Sequence, residues 1–261
     1  MNKLTTILFL TLVYLGTGCS KGKVDEKGFQ VGSTSQNSEN ETSDGLNRDS
    51  LKIETRPSNV LLTGVSNVRL TTIYKVNINK KSNTTFIGSN SYYYRYEYAE
   101  ENSGNNWNNN LMPGIEAVYG YNMVNVSHYD IKENKQKNFF EKPVLIKTLY
   151  YPAFSKDTLN HMPVKREYFM VSVYNDDTNK DGFINLKDLR RFYLFNINGE
   201  KQNALVPENY SVIKSEYDPD NDFMYVFAQL DANSNGMRDE NEPIHIFWID
   251  LKDPTKTGRQ Y

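Results

Sequence analysis

One cysteine, Cys19, is all this chain carries, so no internal disulfide can staple it and no cysteine cluster can hold zinc. Histidine is scarce as well. His128, His161 and His245 fall in separate segments without ligand spacing, which leaves no imidazole metal site and no Cys/His nucleophile; all three read as structural or surface residues. There is no surplus of positive charge, because 30 Lys and Arg stand against 32 Asp and Glu for a net charge of -2. Neither a phosphate backbone nor an anionic lipid surface would be drawn to such a balance, and nucleic acid is excluded as a partner. Long apolar runs are missing too: the stretch 4–15 (LTTILFLTLVYL) is too short to cross a bilayer as a helix.

What that short stretch does resemble is a signal segment. Lys3 supplies the positive start, the apolar run follows, and Gly16-Thr17-Gly18 places small residues just before Cys19. Leu15-Gly16-Thr17-Gly18-Cys19 is similar to the lipobox of bacterial lipoproteins, although Leu15 stands four residues before the cysteine where that family usually has three. The resemblance implies that 1–18 are removed as a signal peptide and that the Cys19 thiol is acylated. Two or three acyl chains then hold the protein on a membrane where one would be marginal. Ser20, where an Asp would retain such proteins at the inner membrane, implies an outer-membrane location, with the periplasmic and surface faces both open. Residues 19–50 follow as an expected unordered tether: from 20 to 50 only Val24, Phe29, Val31 and Leu46 are plainly apolar, too few to offset the entropy of ordering the stretch.

From residue 51 to 261 the pattern is that of an all-β domain. RLTTIYKVNI (69–78), SYYYRYEYA (91–99), YFMVSVY (168–174), RFYLFNI (191–197), FMYVFAQL (223–230) and IHIFWIDL (244–251) are β-branched and aromatic runs separated by Asn/Asp/Gly/Lys clusters. One short helix is expected near Leu186 to Arg191. Laid on itself with a shift of 54 residues, 169–197 falls on 223–251 without a gap, pairing Phe169 with Phe223, Asp177 with Asp231, Gly182 with Gly236 and Tyr193 with Phe247. IKTLYYP (146–152) matches IKSEYDP (213–219) upstream, with 153–165 as an insertion, and a weaker third copy runs from 71 to 135. Repeats of about four short strands suggest propeller-like blades, about three of them, and the pieces YLFNINGE and FWIDLKDP loosely resemble Tol-system propellers. A twisted β-sandwich of duplicated meanders is the alternative.

The chemistry sits in two loops at equivalent repeat positions. DTNKDGFINLKD (177–188) puts oxygen side chains at Asp177, Asn179, Asp181 and Asn185, glycine at Gly182 in the sixth place and Asp188 in the twelfth. DANSNGMRDENE (231–242) repeats this with Asp231, Asn233, Asn235, Gly236, Asp239 and Glu242. Such spacing resembles the EF-hand calcium loop, which implies that Phe183 and Met237 contribute backbone carbonyls and that Ile184 anchors the first loop to a neighbour. Asp188 in place of the usual terminal Glu weakens calcium or admits magnesium in the first loop; Arg238, where the family has an aliphatic residue, and Pro243 are the departures in the second. The flanking segments are strands rather than helices, so the loops are expected to clamp strand connections instead of switching.

Three function classes follow. A membrane-anchored, calcium-stabilised, non-catalytic module that binds a protein or glycan is favoured over a hydrolase using carboxylates on a propeller-like scaffold, because no nucleophile or zinc motif is present. A calcium sensor is the third. The Tyr92-Tyr93-Tyr94-Tyr96-Tyr98 run and Trp107 could present an aromatic face to a sugar or peptide, with ordinary strand packing as the plainer reading.

Overall fold

The computed structural model describes residues 28–31, 53–79, 84–87, 91–92 and 112–261. In chain order its strands begin with β1 (Gly28–Gln30), β2 (Thr55–Leu62), β3 (Val68–Asn79), β4 (Thr84–Ile87), β5 (Ser91–Tyr92), β6 (Ile115–Asp130) and β7 (Lys135–Asn138). Next come β8 (Leu145–Pro152), β9 (Asp157–Leu159), β10 (Met162–Val164), β11 (Tyr168–Tyr174), β12 (Phe183–Asn185), β13 (Arg191–Asn196) and β14 (Lys201–Ala204). The last are β15 (Tyr210–Asp218), β16 (Phe223–Leu230), β17 (Ile244–Asp250) and β18 (Thr257–Arg259). Every pairing is antiparallel, and there is no helix among the described residues.

Three meanders account for most of these strands: β2-β3-β6-β7, β8-β11-β13-β14 and β15-β16-β17-β18. The 54-residue repeat is now physical. β11 and β13 of the second meander correspond to β16 and β17 of the third, β8 and β15 carry the upstream match, and the insertion 153–165 contains the β9-β10 hairpin. The weaker third copy is the first meander.

Strand alternation decides how the meanders stack. In β3, Val68, Leu70, Thr72, Tyr74 and Val76 are buried while the residues between them are only partly covered, the period of two that one buried face demands. β11 instead is buried throughout, because both of its faces are covered. Its odd residues Phe169, Val171 and Val173 pack with Leu70, Met123 and Val126 of the first meander. Its even residues Tyr168 and Met170 join Val212, Val226 and Phe247 of the third. Full burial of a side chain such as Phe169 contributes roughly 1.5–3 kcal/mol, so the middle layer is where most of the hydrophobic stabilisation gathers.

β6 makes the corner between the first two layers. Residues 115–119 pair with β8, while 125–130 pair with β3. The register slips between Tyr119 and Met123, Asn122 has φ 56°, and a Cβ on Gly120 would fall 2.4 Å from the Met123 Cβ. A bulge with glycine at its tightest point thus lets one strand serve two sheets. This pairing fuses the first two meanders into one bent sheet, while the strands of the third pair only with one another. The stacked layers are sandwich-like: among the described residues β3 meets β2, β4 and β6 and not the C-terminal strands, so no strand pairing closes a ring.

Two expectations change. Leu186 to Arg191 forms no helix: Leu186 and Lys187 are a turn, and Arg191 already begins β13. The reason is Asp188, whose carboxylate folds back to accept N–H groups from Thr178, Asn179 and Asn185, which sends the chain directly toward its β11 partner. Within the expected tether, residues 28–30 run as β1, paired to β12. Cys19, Tyr93, Tyr94, Tyr96, Tyr98 and Trp107 lie outside the described residues; Tyr92 pairs in β5 with Val118.

Candidate metal centre

Each of the two loops connects a pair of adjacent strands, 177–188 joining β11 to β13 and 231–242 joining β16 to β17. Their internal hydrogen bonds match position by position. At the first place, Asp177 accepts from Asp181 N (3.0 Å) and Gly182 N (2.9 Å), and Asp231 accepts from Asn235 N (3.0 Å) and Gly236 N (3.1 Å). At the third, Asn179 Oδ1 takes Asp181 N and Asn233 Oδ1 takes Asn235 N. At the fifth, Asp181 takes Phe183 N and Asn235 takes Met237 N. At the twelfth, Asp188 accepts from Thr178, Asn179 and Asn185, just as Glu242 accepts from Ala232, Asn233 and Asp239.

Local chemistry explains this winding. Asp and Asn hydrogen-bond the backbone two or more residues ahead, which curls the chain, and glycine absorbs the positive φ at Gly182 (86°) and Gly236 (74°). The side-chain oxygens at these four places have lone pairs left over, and with the Asn185 or Asp239 side chain and the Phe183 or Met237 carbonyl they make six oxygen donors per loop. This donor set fits a hard cation.

The carboxylates alone do not make a site. Among the described residues no three His, Cys, Asp or Glu side chains group closely enough to hold a metal. Amides stand between them instead: Asn233 Nδ2 and Asn235 Nδ2 donate to Asp239 Oδ2 at 2.8 and 2.7 Å, and Asn179 Nδ2 and Asn185 Nδ2 donate to Asp181 Oδ2 at 3.3 Å. Asp188 is 1% exposed, and burial pushes its carboxyl up, opposed by the three backbone N–H groups it accepts from.

The loops touch each other. Thr178 Oγ1 lies 2.6 Å from Gly236 O and accepts Leu189 N, and Asp188 forms an isolated antiparallel bridge with Met237. Ile184 fills the anchoring role expected of the eighth place, buried with Phe29, Val124, Leu145 and Tyr174. Arg238, its counterpart, is exposed and anchors nothing in the core. Gln229 of β16 supports the second loop from below, donating to the Asp239 and Glu242 carbonyls.

Sequence reasoning missed β1. Gly28 N donates to Asn122 Oδ1 (3.3 Å), Lys75 Nζ to Gly28 O (3.0 Å), and Val31 N to Gly182 O (2.9 Å), so this strand seals the outer side of the first loop. The signal for it was the alternation of Phe29 and Val31 in a largely polar run. Of the histidines, His128 is buried with Nε2 2.8 Å from Ile197 O, His161 is exposed, and His245 Nδ1 lies 2.8 Å from the Tyr210 hydroxyl. Compared with known families and curated proteins, the chain matches no family model and no curated sequence.

Proposed function

We propose that this chain is a non-catalytic, membrane-anchored binding or structural lipoprotein, stabilised by calcium at 177–188 and 231–242 and held to the outer membrane through acylated Cys19. The observation that carries the metal half is the matched hydrogen-bond scheme of the two loops at equivalent positions of a duplicated meander. Two unrelated Asp/Asn-rich turns would have no reason to share it. Asp177, Asn179, Asp181, Phe183, Asn185 and Asp188 would hold one ion, and Asp231, Asn233, Asn235, Met237, Asp239 and Glu242 the other. Magnesium is the alternative occupant of the first loop, whose last ligand is the shorter Asp188.

The ion would supply charge neutralisation. Three carboxylates at ligand positions of each loop repel one another, and a cation replaces amide protons as their counter-charge. With strands on both sides there is no helix pair to open, which supports a clamp over a sensor. The bound partner is a protein or glycan rather than nucleic acid. The test is thermal unfolding in excess calcium against excess chelator: free calcium at about 100 times Kd adds about 2.7 kcal/mol per site. Asp177→Ala and Asp231→Ala should each remove one share of that gain. Identical melting with calcium and with chelator would sink the metal reading for both loops.

A further inference from the structure

A second site lies where the middle and third layers part. β15 carries a bulge between Val212 and Lys214, and opposite it a cavity of about 260 Å³ opens onto the face of β6, β8, β11 and β13. The register places Tyr119 beside Thr148, Thr148 beside Ser172 and Ser172 beside Phe192, so one lateral row across four strands forms the floor. The next row on that face, Ala117, Tyr150, Met170 and Leu194, belongs to the apolar core. A row of hydroxyls there is a break in the pattern, and it coincides with the cavity.

Two groups in the cleft are left over by the fold. Ser172 is 5% exposed, and its Oγ has no hydrogen-bond partner among the described residues. Arg190 borders the cavity and spends Nε on Val212 O and Nη2 on Ile213 O, while among the described residues Nη1 bonds nothing and no carboxylate pairs with the guanidinium. A partly buried cation held only by neutral carbonyls is costly unless something negative meets it. Lys214 pairs with Glu216, the single acid of the cleft, and Lys147 adds a second positive charge beside Arg190, so the lining is positive in a chain whose net charge is -2.

We propose that this cleft binds a compact organic carboxylate, its oxygens on the free edge of Arg190 and the Ser172 hydroxyl and its body against Phe192 and Val226. A carboxylate is favoured over a phosphate because a single planar guanidinium edge matches two oxygens, and neutral hydroxyls and apolar walls supply the rest. The site is independent of any metal in the loops.

The test is calorimetric titration of the full chain with sodium glucuronate and sodium benzoate, and with sodium phosphate alongside. The titrations are run without added calcium, which would precipitate with phosphate. Saturable binding of at least one carboxylate is expected, weakened about 10- to 100-fold by Arg190→Gln and by Ser172→Val. Ser172→Val removes an unpartnered hydroxyl and should keep the melting temperature, so it decides the matter if Arg190→Gln unfolds the protein. No saturable carboxylate binding, equal binding by both variants, or phosphate bound as tightly as the carboxylates would each overturn the proposal.

Discussion

Thr178 Oγ1 lies 2.6 Å from Gly236 O, and this contact joins the two loops across copies of the repeat. It requires glycine there for two reasons, since Gly236 has φ 74° and a Cβ on it would fall 1.9 Å from Thr178 O. Gly182, at the same place in the first loop, has φ 86° but nothing within 4 Å of its Cβ position. Gly182→Ala should therefore cost only backbone strain, about 1–2 kcal/mol. Gly236→Ala adds a clash against backbone and should cost roughly twice as much or more, with the loops forced apart. Urea midpoints of the two variants decide it: equal losses would mean that the loops are not held this close.

Phe29 links the segment 28–31 to the first loop through its cluster with Ile184 and through the β1 pairing. If the first loop takes calcium, Phe29→Asp should release β1 and weaken that site by about tenfold, a coupling of ordinary size. Calcium titration in an Asp231→Ala background isolates the first loop, and the converse Asp177→Ala background should show no effect of Phe29→Asp. An unchanged first-loop affinity would mean that β1 rests on the loop without stabilising it.

How far the residues alone revealed this arrangement follows from the range of each interaction. Alternation in Val68 to Val76 and the gapless match of Phe169 to Phe223 are local or copied signals, and both led to real strands and a real duplication. The glycine turns of the loops were legible for the same reason, since every bond of the winding lies within one twelve-residue segment. What was not legible is long-range. Nothing near Gly28 announces Ile184 as its partner's neighbour, and nothing near Ser172 announces a bulge at Val212. Leu186 to Arg191 misled because helical spacing lost to Asp188, whose carboxylate has three N–H donors within its own loop.

Arg166 and Asp222 illustrate the same point deep in the molecule. Their side chains are each 2% exposed and meet through two bonds of 2.9 and 2.8 Å, and the guanidinium also reaches the Pro113 and Leu251 carbonyls. The pair ties the starts of β6 and β11 to the β15–β16 and β17–β18 turns of the third meander. Asp222→Asn suits the positive φ of 61° there, so it reads the lost charge rather than backbone strain. Either Asp222→Asn or Arg166→Met should cost about 3–5 kcal/mol by leaving a partner buried and unpaired. In the double variant the loss should be clearly smaller than the sum, as measured by denaturant unfolding. Additive losses would show that the two side chains act separately.

His128 should make the fold sensitive to mild acid. Its ring packs against Phe139 and Phe169, and burial holds its pKa below the ordinary value. Lys137 pushes the same way, while the bond to Ile197 O and the Asp130 carboxylate oppose. Because the folded pKa is depressed, the unfolded chain binds the proton first. The stability from neutral His128 is therefore complete above the unfolded value of about 6.5 and is lost as pH falls through the lower folded value. Melting temperature should therefore fall as pH drops below about 6.5, above the range where ordinary carboxylates protonate. His128→Gln keeps a donor toward Ile197 O without a titrating ring and should flatten that slope, whereas His161→Gln, at an exposed position, should leave it intact. A slope that survives in His128→Gln would place the acid-sensitive group elsewhere.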